Sequence, residues 1–258
     1  MAAPSPDLQG FLIRQRAAAA WLGLLLGACA QSGDKPRGPT DSLHNTIANF
    51  DPKQIGKGDI DRVADLHRRE LFVSVRVLAE KLYRRNPREW KKGGHASVEA
   101  ALDKLLDPRT GWRPAEANGR RGTDAILLAL REDFAGDRVA VFIAGLGGML
   151  NAAFDEKTEF FLLDDLDPQK FHNSARNIEI AAWKLATARD AAGNLLLVSN
   201  EMAQAGQPGN LSFEREFGKM IANLDLLAAL IADKGHRTIA RVAQSVATAV
   251  FLPVPSLR

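Results

Sequence analysis

The sequence is poor in cysteine and in clustered histidine, which excludes several kinds of stabilising or catalytic site. Cys29 is the only cysteine among 258 residues, so the chain can form no internal disulfide. The five histidines are scattered, with no pair four residues apart, which argues against a zinc site. No G-x-S-x-G motif of a serine hydrolase occurs either. The fold must therefore rest on apolar burial.

Long apolar runs and aromatic side chains are also scarce. The longest apolar runs, 17–26 and 139–150, have ten and twelve residues, whereas a membrane-spanning helix needs about 20. Aromatic residues make up 7% of the chain, and its many alanines and leucines favour helices over strands. With 34 basic and 31 acidic residues, the charge is nearly balanced. This composition is not typical of a nucleic-acid-binding protein.

The first 29 residues have the order of a secretory signal. Arg14 and Arg16 precede the apolar run 17–26, and small residues lead to Cys29. Because the apolar run is too short to span a bilayer, we expect residues 1–28 to be removed. Their loss takes away two arginines and one aspartate, which leaves 32 basic and 30 acidic residues and a net charge near +2.

The segment Leu26-Gly27-Ala28-Cys29 resembles the lipobox of bacterial lipoproteins. The resemblance covers only the first 29 residues. It implies cleavage before Cys29 and covalent attachment of diacylglycerol and an acyl lipid there, with no other cofactor. Residue 30 is alanine and not the aspartate that retains enteric lipoproteins in the inner membrane. The resemblance therefore implies the inner leaflet of the outer membrane, facing the periplasm of a Gram-negative bacterium. The alternative is a short N-terminal helix with a chance cysteine.

Three regions follow from this interpretation. Residues 1–28 form the lipoprotein signal peptide. Residues 29–44 are rich in glycine and proline near their middle and are predicted to be a lipid-anchored flexible tether. Residues 45–258 are predicted to form a helical periplasmic domain, in which no membrane-spanning segment is expected.

Apolar residues recur at spacings of three and four through most of that domain, which predicts an all-α fold. Antiparallel packing of such helices gives a helical bundle or a helix-pair array. The most apolar stretch, RVAVFIAGLGGMLNAAF, is expected to be the central helix. Strand-like runs are limited to 160–163 and 195–198. The first predicted helix begins at Asp59 and stops at Asn86-Pro87, and two shorter ones cover 97–106 and 125–131. The central helix begins after Asp137. Two further helices start at Asp167-Pro168 and at Ser212, and the last covers 236–250.

The glycines of the apolar stretch allow two interpretations. Ala140, Ala144 and Gly148 lie four apart, so they can form a small-residue face that lets a neighbouring helix approach closely. Alternatively, RVAVFIAGLGG is a strand that enters a glycine loop, as in a dinucleotide-binding unit, although its glycines do not match G-x-G-x-x-G.

The second interpretation extends over 138–177, because TEFFLLDDLDPQKFHNSARN resembles the cofactor-binding stretch of class I methyltransferases. That resemblance implies that Asp165 or Asp167 contacts the ribose of S-adenosylmethionine, with Ala175, Arg176 and Asn177 in the following helix. A periplasmic protein has no known supply of that cofactor, which favours the helical interpretation. The neighbouring aspartates are explained more simply as helix caps than as a calcium site.

Residues 81–92, KLYRRNPREWKK, form a basic segment with interleaved aromatic residues. Such a segment can contact anionic head groups or an acidic partner. The favoured interpretation is a solvated helix end whose cations suit the C-terminal dipole. The possible surface-contact patch consists of Lys81, Arg84, Arg85, Arg88, Trp90, Lys91 and Lys92.

The sequence favours binding over catalysis. We expect a lipid-anchored envelope protein that acts as a binding, scaffold or accessory subunit, with the membrane and an envelope protein as partners and no nucleic acid. No catalytic, cofactor-binding or metal-binding residue is predicted. The alternative is an enzyme that uses the methyltransferase-like or dinucleotide-binding stretch at 138–177.

Overall fold

Helices form nearly all of the regular structure in the computed structural model. The structure describes residues 58–161, 165–201, 209–241, 245–246 and 248–255. Cys29, the predicted signal peptide and the predicted tether lie outside these residues. Within the described ranges there are seven α-helices: α1 Asp59–Arg85, α2 Pro87–Lys92, α3 Val98–Leu105, α4 Gly122–Ala129, α5 Arg138–Ala153, α6 Pro168–Thr187 and α7 Ser212–Lys234. Two 3-10 turns, Pro108–Thr110 and Ala115–Ala117, lie between α3 and α4.

The all-α prediction is confirmed. The strand-like runs form no strand in the described part of the chain, where the only extended pairings are two isolated bridges, Arg189 with Leu195 and Glu201 with Asn210. None of the described helices is long and apolar enough to cross a membrane.

Helix starts follow from short polar side chains. The Asp137 carboxylate accepts the Ala140 N–H at 2.9 Å and begins α5. Asp167 accepts the Gln169 N–H at 2.9 Å, ahead of the proline that opens α6. These side chains satisfy N–H groups that have no partner within the helix. The cap of α1 is Gly58 and not Asp59, because the Asp61 carboxylate reaches back to the Gly58 N–H at 2.7 Å.

Helix α5 is the central helix, as its composition predicts. Fourteen of its sixteen residues are buried, and it contacts α1, α2, α4 and α6. A Cβ atom on Gly145 would lie 2.7 Å from both the Gly122 carbonyl oxygen and the Ile126 side chain of α4. The missing side chain therefore permits the close packing of α4 on α5.

Helices α1 and α7 pack antiparallel, since their opposite ends meet. The Lys81 ammonium, near the end of α1, donates to the Ser212 carbonyl at 3.0 Å. Lys234, at the end of α7, lies 4.0 Å from Asp61 in the first turn of α1. Helix α7 also packs along α6, which in turn contacts α5. The core therefore lies between α1, α5, α6 and α7.

The predicted last helix, 236–250, is wrong. Its described residues form no helix, and His236 has a φ of 50° in the left-handed region. The Gln169 side chain binds both the N–H and the carbonyl of Ala240, at 2.8 and 3.0 Å. Tertiary hydrogen bonds thus replace helical ones in a segment whose β-branched residues have low helix propensity.

The described C-terminal segment is extended and lies on α6. The Asn177 side-chain amide, which is fully buried, donates to the Leu252 carbonyl at 2.8 Å and accepts the Leu252 N–H at 2.6 Å. Asn173 donates to the Pro253 carbonyl at 2.9 Å. Two asparagines one turn apart thus hold the backbone of this segment against the bundle.

Candidate functional site

A cavity of about 120 Å³ lies beside the N-terminal end of α5, next to α1, α3 and the loop that joins α3 to α4. Its walls are mostly apolar and include Trp112. Enclosed apolar cavities with a few polar groups are the usual form of small-molecule sites. Its polar lining consists of Tyr83, His95, Lys104, Thr110, Arg113 and Glu116.

A larger depression of about 470 Å³ lies on another side of Glu116. Its charged residues include Arg131 and Asp133, which are exposed and pair with each other at 2.5 Å. Exposed ion pairs of this kind are screened by water and hold a ligand poorly. The smaller, better enclosed cavity is therefore the candidate site.

Tyr83, which lines this cavity, forms a buried polar pair with Asp137. Tyr83 is fully buried and Asp137 is 1% exposed. The Tyr83 hydroxyl donates to Asp137 Oδ2 at 2.9 Å, while Oδ1 accepts the Ala140 N–H of the helix cap. Burial raises the pKa of Asp137 above its usual range, although these two hydrogen bonds act in the opposite direction. One aspartate thus begins α5 and holds the tyrosine.

A second buried carboxylate, Glu89 of α2, lies next to this pair. Its Oε2 accepts the Arg138 N–H at 2.9 Å, and its Oε1 accepts the Lys92 ammonium at 2.8 Å. Burial raises the pKa of Tyr83, and negative charge on Asp137, Glu116 and Glu89 raises it further. The tyrosine therefore keeps its proton at any physiological pH.

The Arg138 guanidinium fixes α4 against α5. Its NH1 donates to the carbonyls of Ala129 and Arg131 at 2.7 and 2.6 Å, and its NH2 donates to the Glu132 carbonyl at 3.0 Å. These carbonyls belong to the last residue of α4 and the turn after it, which the helix itself cannot satisfy. This arginine has a structural role beside the cavity.

Trp112 lines the cavity in a strained conformation. Its φ is 60°, a left-handed value that is rare for a bulky residue. Its ring stacks on Phe72 with centroids 5.4 Å apart. A Cβ atom on Gly147 would lie within 2.5 Å of three atoms of the indole ring, so the glycine provides the space that the ring occupies. Strained residues that persist beside a cavity are typical of functional sites.

The basic segment contributes only Tyr83 to this cavity's lining. Two of the predicted patch residues contact the start of α7 or the segment before it. Lys81 donates to the Ser212 carbonyl and lies 5.2 Å from the centre of the Phe213 ring. Arg85 pairs with Glu201 at 3.3 Å. These two cations make contacts that join separate parts of the chain.

The other patch residues differ in exposure. Arg84 pairs with a glutamate one turn earlier in α1 at 2.8 Å, and Lys92 pairs with buried Glu89. Trp90 is half-buried against the core, while Arg88 and Lys91 are exposed. Arg88 and Lys91 are therefore the patch cations most accessible to a partner.

Residues 138–153 do not form the strand and glycine loop that the methyltransferase-like interpretation expects. Residues 138–153 form one continuous helix, so the glycines lie inside α5 and their N–H groups do not line a phosphate loop. Asp165 instead pairs with Arg237, and Asp167 caps α6. Ala175 is buried in the core, Arg176 pairs with Asp225 at 2.6 Å, and Asn177 holds the C-terminal segment. The residues named for cofactor binding thus make internal contacts.

The described residues contain no group of three or more histidine, cysteine or acidic side chains that could hold a metal ion. Sequence reasoning did not identify the cavity, because most of its lining comes from α3 and from the loop after it, whose conformation no motif predicts. The one available signal was Tyr83, the only tyrosine of the chain, inside a predicted helix.

No protein-family model, no curated protein and no solved structure matches this chain.

Proposed function

We propose that this chain is a lipid-anchored binding protein of the bacterial envelope. Cys29 carries the lipid and places the helical domain on the periplasmic side of the outer membrane, where it serves as a scaffold or accessory subunit. The order of basic residues, apolar run and Leu26-Gly27-Ala28-Cys29 supports the anchor.

The observation that carries the binding part of the proposal is Trp112. A tryptophan in a left-handed conformation costs about 1–3 kcal/mol of strain, and here its ring lines a cavity with Tyr83 and Glu116. The stacking on Phe72 and the space beside Gly147 hold the ring in place, so a rigid aromatic wall is already formed for a ligand. Binding fits this geometry better than chemistry, since Tyr83 holds its proton and Asp137 is tied by two hydrogen bonds.

Metabolic labelling with a palmitate analogue, followed by membrane fractionation, tests the anchor. We expect label in the outer-membrane fraction for the wild type and none for Cys29→Ala. Ala30→Asp is the matched control, because it keeps the cysteine but introduces the aspartate that retains enteric lipoproteins in the inner membrane. In an enteric host it should remain labelled and move to the inner membrane. An unlabelled, soluble, full-length wild-type protein would refute the anchor.

Crosslinking in cells followed by mass spectrometry tests the protein partner. If the basic segment supplies contacts, replacing the exposed Arg88 and Lys91 by glutamine should weaken a specific crosslink. Replacing exposed Lys104 of α3, outside that segment, serves as the control. Equal crosslinking in both variants would show that the basic segment does not contact the partner.

A further inference from the structure

The charged groups around the candidate cavity are arranged with carboxylates inside and cations outside. Glu116 lines the cavity and is half-buried, and Asp137 lies behind Tyr83. Lys104 and Arg113, which also line it, are exposed. Water screens exposed charges, whereas charges beside apolar walls act over a longer range. Water therefore screens the two carboxylates less than it screens the two cations.

The same carboxylates act on Tyr83. Negative charge on Asp137, Glu116 and Glu89 raises the pKa of its hydroxyl, in addition to the effect of burial. The hydroxyl proton is directed to Asp137 at 2.9 Å, so this fully buried group offers no proton to a ligand. The carboxylates near Tyr83 thus favour a ligand that carries positive charge.

The remaining walls set the size and character of that ligand. An engineered cavity of about 150 Å³ in another protein binds benzene, which has six non-hydrogen atoms, so a cavity of about 120 Å³ admits a ligand of about five or six. Trp112, Leu105 and Pro114 supply apolar surface. An aromatic face also attracts an organic cation.

We propose that this cavity binds a small primary amine with an apolar body, its ammonium at Glu116 and its apolar part against Trp112. The proposal rests on the proposed binding function and specifies the ligand class. The ammonium gains a charge-assisted hydrogen bond to the half-buried Glu116 carboxylate. The apolar body gains burial that the exposed surface does not offer.

Three probes of one shape test the ligand class: isobutylamine, isobutanol and isobutyrate, each of about five or six non-hydrogen atoms, within the size admitted above. Each is titrated calorimetrically into the full chain in detergent micelles near neutral pH, where a primary amine is charged. We expect the amine to bind at least about tenfold more tightly than the alcohol, and the anion most weakly. Equal affinities, tightest binding of isobutyrate or no binding at all would overturn the proposal.

Variants then locate the contact. Glu116→Gln should weaken binding of the amine by at least about tenfold and leave binding of the alcohol unchanged. Asp103 lies on the exposed face of α3. Asp103→Asn should change neither the affinity for the amine nor that for the alcohol, and it is the control for the loss of a distant negative charge. Lys104→Gln removes a cation that lines the cavity, so the amine should bind more tightly and isobutyrate more weakly. If Glu116→Gln fails to fold by circular dichroism, Lys104→Gln decides, because weaker binding of the amine there would overturn the proposal.

These results separate the ligand from the proposed function. Labelling of Cys29 does not depend on the cavity, so an anchored protein that binds none of the three probes would refute only the amine site. An unlabelled protein that binds the amine would refute the anchor and leave the site in place.

Discussion

Gly147→Ala gives a direct test of how Trp112 is held. Gly147 lies in the middle of α5, and an added Cβ atom would lie within 2.5 Å of three atoms of the indole ring. Real Cβ atoms do not approach so closely, and α5 is buried on almost every side. The ring, which lies on a loop, must therefore move out of the space beside the glycine.

The magnitude follows from two opposing effects. Alanine in place of glycine inside a helix stabilises it by about 1 kcal/mol. Overpacking a core position costs about 1–3 kcal/mol, and displacing the ring forfeits the stacking on Phe72, which is worth about 0.5–1.5 kcal/mol. The expected result is a net loss of about 1–3 kcal/mol in the free energy of unfolding.

Gly218→Ala is the matched control. Gly218 lies within α7, is exposed, and a Cβ atom there would meet nothing within 4 Å. The same chemical change should therefore stabilise the protein by about 0.5–1 kcal/mol. Urea unfolding followed by circular dichroism compares both variants with the wild type.

A double-mutant cycle with Trp112→Ala completes the test. Without the indole ring, Gly147→Ala should no longer destabilise, because the atoms it would meet are gone. If Gly147→Ala stabilises the wild type as much as Gly218→Ala does, the ring is not held in the space beside Gly147, and Trp112 does not form the rigid wall on which the binding proposal rests.

Three further changes probe other buried contacts. Asn177→Ala loses both hydrogen bonds to Leu252 and should cost about 1–3 kcal/mol, with faster amide hydrogen exchange at Leu252; unchanged exchange would contradict this. Lys170→Met leaves its partner Asp155, 2.5 Å away and 9% exposed, unpaired, which should cost about 3–5 kcal/mol in urea unfolding and be largely reversed by Asp155→Asn. The raised pKa of Asp137 in the folded state means that wild-type stability falls as pH rises from about 3.8 through that raised pKa. Asp137→Asn should lower the pH dependence of the urea midpoint, and an identical profile would refute the shift.

Local signals predicted most of the helices. Aspartates 137 and 167 fall where α5 and α6 begin because a side-chain cap needs only residues two or three positions away. The apolar spacing of α1 and α7 similarly predicts which side faces the core, since every residue of the stripe lies on one helix. Information that is contiguous in the chain was sufficient for these elements.

The wrong helix at 236–250 shows where local information ends. A helical hydrogen-bond pattern would require the Ala240 N–H and carbonyl to bind within the segment, but both bind Gln169 in α6. That side chain is 71 positions away. Helix formation is marginal for short segments without tertiary packing, so a distant amide side chain can decide the backbone conformation.

The candidate site depends on the same kind of distant contact. Asp137 was predicted as a helix start, and that role uses only Oδ1 and the Ala140 N–H. Oδ2 accepts the hydroxyl of Tyr83, 54 positions earlier, and this contact ties the start of α5 to a residue that lines the cavity. A single carboxylate thus carries one role that the sequence predicts and one that appears only when α1 and α5 are packed together. The amine titration depends on that packing, because the carboxylates near Tyr83, which are Glu89, Glu116 and Asp137, come from three separate segments.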